Sequence, residues 1–223
     1  MADVGLLRRE ATAIAIQGGL MLRACVRKPA APVGDRVAVF IHGYLSAGAA
    51  FDPMRRYVER VIGISTLDFT YGPLATFESV ADRFAEHVER FVPASSTVSL
   101  VGHSLGGIVA RWFLQEQGGI ERVDKLVALA TPHAGTRAAR YVLGTLRDTL
   151  EPGSYVLERL AARRATCSDV PHVAIVAGQD RLCDPPQSAA ALEDAEVVWF
   201  HGVGHNEMLF DVRVHQAVAR ALR

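Results

Sequence analysis

Residues 98–107, Val-Ser-Leu-Val-Gly-His-Ser-Leu-Gly-Gly, constrain the fold more than any other stretch of this chain. An apolar run ends at Val101, Gly-x-Ser-x-Gly follows, and Ile108 to Leu114 then reads as a helix. That is a strand, a sharp turn and a helix, with Ser104 at the apex. Strand and helix crowd together at such a turn, so the positions two residues either side of the serine must lack side chains. Gly102 and Gly106 meet that need. The turn lifts the Ser104 hydroxyl clear of the strand. It also leaves the Leu105 N–H at the start of the helix, free to face a developing negative charge.

The remaining chain alternates short apolar runs with helical patterns. Strands are expected at 36–41, 62–69, 97–101, 123–130, 172–177 and 196–200. A loop and a helix are expected over 48–61, and helices at 76–92, 107–117, 187–194 and 207–222. Phe77, Val80, Phe84, Val88 and Phe91 recur at spacings of three and four, and Pro93 stops that helix. Near-continuous apolar strands separated by helices imply a mostly parallel sheet of α/β class, doubly wound and covered on both faces. The rhythm breaks between His133 and about Thr166, an arginine-rich insertion of helical character. At 223 residues one domain accommodates the whole chain. Equal numbers of acidic and basic residues give no field for a polyanion, so nucleic acid is not the expected partner.

In sheets of this kind ligands bind beyond the carboxyl ends of the strands. Ser104, Asp180 and His205 each follow a strand end. A serine hydroxyl is a poor nucleophile near neutral pH and needs an adjacent base. His205, on a Gly-x-Gly-His loop, suits that task better than His201, which comes straight off the strand. Asp180 ends its strand and would hold the far ring nitrogen of the base, with Asp184 as the competing carboxylate. His42 and His103 sit beside glycines in turns and read as loop-shaping residues. An oxyanion needs two donors: the Leu105 N–H supplies one, and Tyr44, after His42-Gly43, is placed to supply the second.

These residues resemble the lipase/esterase branch of the α/β-hydrolase superfamily, and more narrowly bacterial triacylglycerol-lipase-like proteins related to the GPI-inositol deacylases. The likeness rests on Ile41-His42-Gly43-Tyr44, on Gly102 to Gly107 followed by Val109-Ala110-Arg111, and on Thr131-Pro132-His133-x-Gly135-Thr136. Pro152-Gly153-Ser154, Gly178-x-Asp180 with Pro185-Pro186, and Gly204-His205 complete it. The resemblance implies an α/β-hydrolase fold, a Ser104–Asp180–His205 triad, and an oxyanion hole from Tyr44 and Leu105. It also implies a small helical cap over 134–166. The activity implied is hydrolysis of carboxylic esters, of lipid or smaller type, through an acyl-enzyme on Ser104. Acyl transfer or thioester hydrolysis on the same triad, and a non-catalytic binding scaffold, are the alternatives. Tyr141, Val142, Leu143, Leu146, Tyr155, Val156 and Leu157 would line the pocket or pack the cap.

No cofactor is implied, and no metal-ligand spacing such as Cys-x-x-Cys occurs. The odd count of three cysteines, Cys25, Cys167 and Cys183, suits a reducing, cytoplasmic compartment, with a Cys167–Cys183 bridge as the alternative. Residues 1–27 read as an N-terminal helix packed on the domain. Its apolar run, Ala11 to Leu22, follows Arg8-Arg9 and leaves peripheral membrane contact or export open. Residues 28–35 read as a linker.

Overall fold

The computed structural model describes residues 4–24, 32 and 34–223. Cys25 and most of the expected linker lie outside the described residues. The N-terminal helix α1 runs over Val4–Ala24. The remaining elements are β1 (Arg36–Ile41), α2 (Asp52–Ile62), β2 (Ser65–Phe69), α3 (Phe77–Phe91), β3 (Thr97–His103) and α4 (Leu105–Glu116). They continue with β4 (Val123–Leu129), α5 (Leu146–Leu150), α6 (Tyr155–Ala162), β5 (His172–Ala177), α7 (Gln187–Ala190), β6 (Glu196–Phe200) and α8 (Val212–Ala221).

All six strands form one parallel sheet in the order β2-β1-β3-β4-β5-β6. Alternation along β1 explains its two covered faces. Val37, Val39 and Ile41 pack with Leu100, α3, α4 and α6, whereas Ala38 and Phe40 pack with Val127, Ile175, α2 and α8. Both sets are fully buried, as expected of central parallel strands. From β1 the chain moves outward to β2, then crosses back to β3. The carboxyl ends of β1 and β3 therefore flank the point where the winding reverses, the usual place for a ligand crevice.

Several boundaries differ from the sequence expectation, three of them for a clear local reason. Strand β2 begins at Ser65 because α2 continues to Ile62 and is closed by Gly63 at φ 73°. Such a left-handed helix cap favours glycine. Helix α7 stops at Ala190, short of the expected 194. The last helix starts at Val212, capped by the Asp211 carboxylate accepting from the Arg213 N–H, and 207–209 form a separate 3-10 turn. Cys167 and Cys183 are free thiols, so the alternative of a bridge between them does not hold.

The segment between β4 and β5 holds α5, α6 and two 3-10 turns, Arg137–Tyr141 and Arg164–Cys167. Its apolar residues divide. Leu146, Val156 and Leu157 are buried against the main core, Val142 is partly so, and Tyr141, Leu143 and Tyr155 are exposed. Among the described residues no helix is long and apolar enough to cross a membrane.

Candidate active site

Ser104 sits between β3 and α4 at φ 54°, ψ −125°. This is a strained conformation for a residue with a side chain, and surrounding structure must impose it. Three observations show how. The Ser104 N–H donates to the Leu129 carbonyl at 2.8 Å, and the Ser104 carbonyl accepts from the Gly107 N–H at 3.0 Å. The glycines of the motif allow backbone to approach backbone: a Cβ at Gly102 would lie 2.5 Å from Gly107 Cα, and one at Gly106 would lie 2.6 Å from the His42 carbonyl oxygen. At Gly107 a Cβ would overlap the Thr131 side chain, which links the nucleophile motif to the Thr131-Pro132-His133 block.

Register places Ile41 opposite Gly102, so the loop after β1 lies beside the serine turn. Gly43 abuts Ser104, where a Cβ would come within 2.9 Å of Ser104 Cβ. His42 is 1% exposed, and its ring stacks on Tyr71 at 4.2 Å. Its Nε2 accepts from the Tyr71 N–H at 3.1 Å, so the ring proton resides on Nδ1 and is donated to the Gly43 carbonyl at 2.6 Å. Burial pushes the His42 pKa down to about 4, which keeps the ring neutral and this pattern fixed across ordinary pH. The Gly43 carbonyl and the Tyr44 N–H share one trans peptide and point in opposite directions. Holding the first therefore aims the second. The Tyr44 hydroxyl in turn accepts from the Leu143 N–H at 3.1 Å, joining this loop to the β4–β5 insertion.

Asp180 and His205 leave neighbouring strands, β5 and β6, and the structure brings them together. His205 Nδ1 donates to Asp180 Oδ2 at 2.7 Å. The other carboxylate oxygen accepts from the Leu182 and Cys183 N–H groups at 2.8 and 2.7 Å. Both residues are buried, at 6% and 4% exposure. Burial alone would lower the His205 pKa. The Asp180 charge and hydrogen bond, with help from Glu10, outweigh it, and the pKa is raised above the ordinary 6.5.

His103 connects this pair to the serine. Its Nε2 donates to the His205 carbonyl at 3.0 Å, and the two rings lie 4.6 Å apart. Burial and the neighbouring histidines push its own pKa well down, so it remains neutral. His42 and His103 thus shape loops, as their turn positions suggest.

The competing residues lie elsewhere. Asp184 makes a two-pronged ion pair with Arg137, at 2.9 and 2.8 Å, on the surface. His201 is exposed in the turn after β6 and stacks on Trp199. Other motif residues are framework. Arg111 donates to His133 Nδ1 and to the Leu160 carbonyl, tying α4 to α6. Gly135 abuts Pro152, where a Cβ would lie 2.5 Å from the proline nitrogen, so two motif blocks distant in sequence touch. A groove of about 1050 Å³ runs along the β2 edge past Asp68, Arg83 and His87 and contains none of the triad candidates. Among the described residues no group of three or more metal-ligating side chains converges.

Comparison with known proteins agrees with this fold. The model of the family described as PGAP1-like alpha/beta domain matches residues 77–180, the span from α3 through Ser104 to Asp180. No curated protein matches by sequence. Among solved structures, Aspergillus fumigatus lipase B superposes with a TM-score of 0.73 at 17% identity, over 90% of this chain and 56% of that one. This chain therefore spans little more than half of that lipase. EstE1, a thermophilic carboxylesterase from a metagenomic library, gives 0.62 at 16% identity, over 96% and 95% of the two chains. Est1E from Butyrivibrio proteoclasticus gives 0.62 at 17%, over 86% and 88%. With a parallel sheet wound about the β1/β3 crossover and a serine turn at the carboxyl end of β3, the chain has the α/β-hydrolase fold, shared with these lipases and carboxylesterases, and its residues 77–180 are similar to the PGAP1-like alpha/beta domain.

Proposed function

We propose that the protein is a serine hydrolase that cleaves carboxylic esters through an acyl-enzyme on Ser104, with His205 as base and Asp180 as its partner. The observation that carries this reading is the buried His205–Asp180 pair tied through His103 to the strained Ser104 turn. Buried polar pairs of this kind cost stability unless they are satisfied, and here the His205 Nδ1 proton and both Asp180 carboxylate oxygens have hydrogen-bond partners.

The chemistry follows from the atoms. Ser104 Oγ attacks the ester carbonyl carbon while His205 Nε2 takes the hydroxyl proton. The carbonyl oxygen becomes an oxyanion facing the Tyr44 and Leu105 N–H groups. The tetrahedral adduct collapses, and the alcohol leaves with the proton from His205. Water then attacks the acyl-enzyme by the same route, giving the acid and free Ser104. Asp180 stabilises the imidazolium in both halves.

The substrate class rests on the surroundings. Leu45, beside Tyr44, and Leu143, bonded to it, are 62% and 71% exposed, and Tyr141 and Tyr155 of the insertion are also exposed. Exposed apolar side chains on and against the Tyr44 loop, Leu45 and Leu143, suit an acyl chain or a lipid. In this reading residues 134–166 form a small cap, hinged to the oxyanion loop through the Tyr44–Leu143 contact.

The test is turnover of p-nitrophenyl esters from acetyl to palmitoyl across pH. Hydrolysis is expected, with the chain-length optimum measuring the pocket. Because the His205 pKa is raised and the base must be neutral, kcat/KM should climb along an acidic limb with its midpoint above 6.5. A folded protein inert across the series would contradict the proposal.

A further inference from the structure

We propose that Glu10, on the N-terminal helix, is a positioning residue that holds the loop carrying His205. The inference rests on the reading of His205 as the base, and it reaches across the whole chain to a helix that no part of the mechanism uses.

The loop 201–206 starts at the end of β6 and would otherwise be a glycine-rich span with Gly202 and Gly204 inside it. Glu10 closes over it. One carboxylate oxygen accepts from the Glu207 N–H at 2.8 Å. The other accepts from the Asn206 N–H and from Asn206 Nδ2, each at 3.2 Å. The carboxylate presses on Gly204 so closely that a Cβ there would lie 2.7 Å from Glu10 Cδ. Gly204 thus leaves room for the carboxylate from α1, and its φ is not positive. The adjacent Arg9 adds two bonds, to the Gly202 carbonyl at 2.8 Å and to the Glu207 carboxylate at 2.6 Å. Glu207 returns the bridge by accepting from the Gly204 N–H at 3.2 Å.

His205 therefore sits between two anchored flanks. Gly202 and Gly204 are held on one side, and Asn206 and Glu207 on the other. Its own carbonyl is held from the opposite direction by His103. A base that must meet Ser104 within a few tenths of an ångström needs such fixing, because small displacements of a reacting group cost large factors in rate. Burial supports the assignment. Leu6, Ala13 and Gln17 are buried on the same face of α1, so Glu10 is presented by a packed surface and not by a loose tail.

The experiment compares wild type with Glu10→Gln and Glu10→Asp, reading steady-state kinetics across pH and amide hydrogen exchange over residues 202–208. Glutamine matches the size but turns an NH₂ toward one set of N–H donors. Aspartate keeps the charge and is the conservative rescue. Glu10→Gln should lower kcat roughly ten- to a hundredfold with KM within about twofold, and speed exchange at Asn206 and Glu207. Glu10→Asp should recover part of both. The charged and titratable groups facing His205 are Asp180, neutral His103 and Glu10. Loss of the Glu10 charge should therefore move the acidic limb to lower pH, a change that loosened packing alone would not produce. Wild-type kcat and pH midpoint in Glu10→Gln, with wild type active, would overturn the assignment and leave the hydrolase reading intact. Lower kcat with unchanged exchange and pH midpoint would also overturn it, because the loss would then arise elsewhere than in this loop. If wild type neither turns over esters nor takes up a fluorophosphonate, both proposals fall.

Discussion

His205→Ala should lower kcat on a p-nitrophenyl ester by about five to six orders of magnitude, since removing the base of such a unit costs nearly as much as removing the whole triad. Asp180→Asn should cost roughly four orders of magnitude, although it changes one atom. The reason lies in how Asp180 is held. Its Oδ1 already accepts two backbone N–H groups, from Leu182 and Cys183. The asparagine oxygen must occupy that position, so the amide NH₂ faces His205 Nδ1. The neutral ring then carries its proton on Nε2 and cannot take one from Ser104. The fold should be unaffected. Stopped assays at high enzyme concentration, with thermal melting as a control, check both variants. A decrease of less than tenfold in either would mean that the pair is structural.

Gly106→Ala should have the largest effect of any change that leaves the triad untouched. The added methyl would overlap the Ile41 carbonyl oxygen and lie 2.6 Å from that of His42. Neither atom can retreat cheaply. Ile41 ends β1, which is paired on both sides and fully buried. Destabilisation of about 3 kcal/mol is expected for overpacking at a rigid site, a fall in melting temperature of roughly 6–12 °C for a chain of this size. Whatever relaxation occurs must push the His42 loop away from α4 and so separate the Tyr44 and Leu105 N–H groups. Loss of one oxyanion donor costs about a hundred- to a thousandfold, and kcat should fall by that much even well below the melting point. Melting curves and kcat measured at low temperature separate the two effects. A variant as stable and active as wild type would contradict the backbone packing described for this turn.

Much of this was legible in the sequence because it rests on rules local to a few residues. Gly-x-Ser-x-Gly between an apolar strand and a helix specifies its own geometry, and the parallel sheet follows from the alternation of runs. The choice of Asp180 over Asp184 came from its place at a strand end, and the two do part in space, Asp184 pairing with Arg137 on the surface. What stayed hidden depends on contacts between distant segments. The end of α2 is the local exception, set by Gly63, whose left-handed conformation overrides the β-branched run from Ile62. The aromatic and aliphatic residues of 134–166 look alike in sequence, and only packing against α4 separates buried Leu146 and Leu157 from exposed Leu143 and Tyr155. Glu10, between Arg9 and the apolar run from Ala11, looks in the sequence like an ordinary surface carboxylate. Its position on the face shared by Leu6, Ala13 and Gln17 was the available clue, because a carboxylate on the packed side of a helix needs partners there.

The central claim is that Ser104 is a nucleophile activated by its surroundings, and covalent labelling tests it without assuming a substrate. Wild type and Ser104→Ala would be treated with a fluorophosphonate and examined by intact mass and peptide mapping. The account predicts one adduct per wild-type chain, on Ser104, and none on the variant. No adduct on folded wild type, or an adduct that persists in Ser104→Ala, would contradict it.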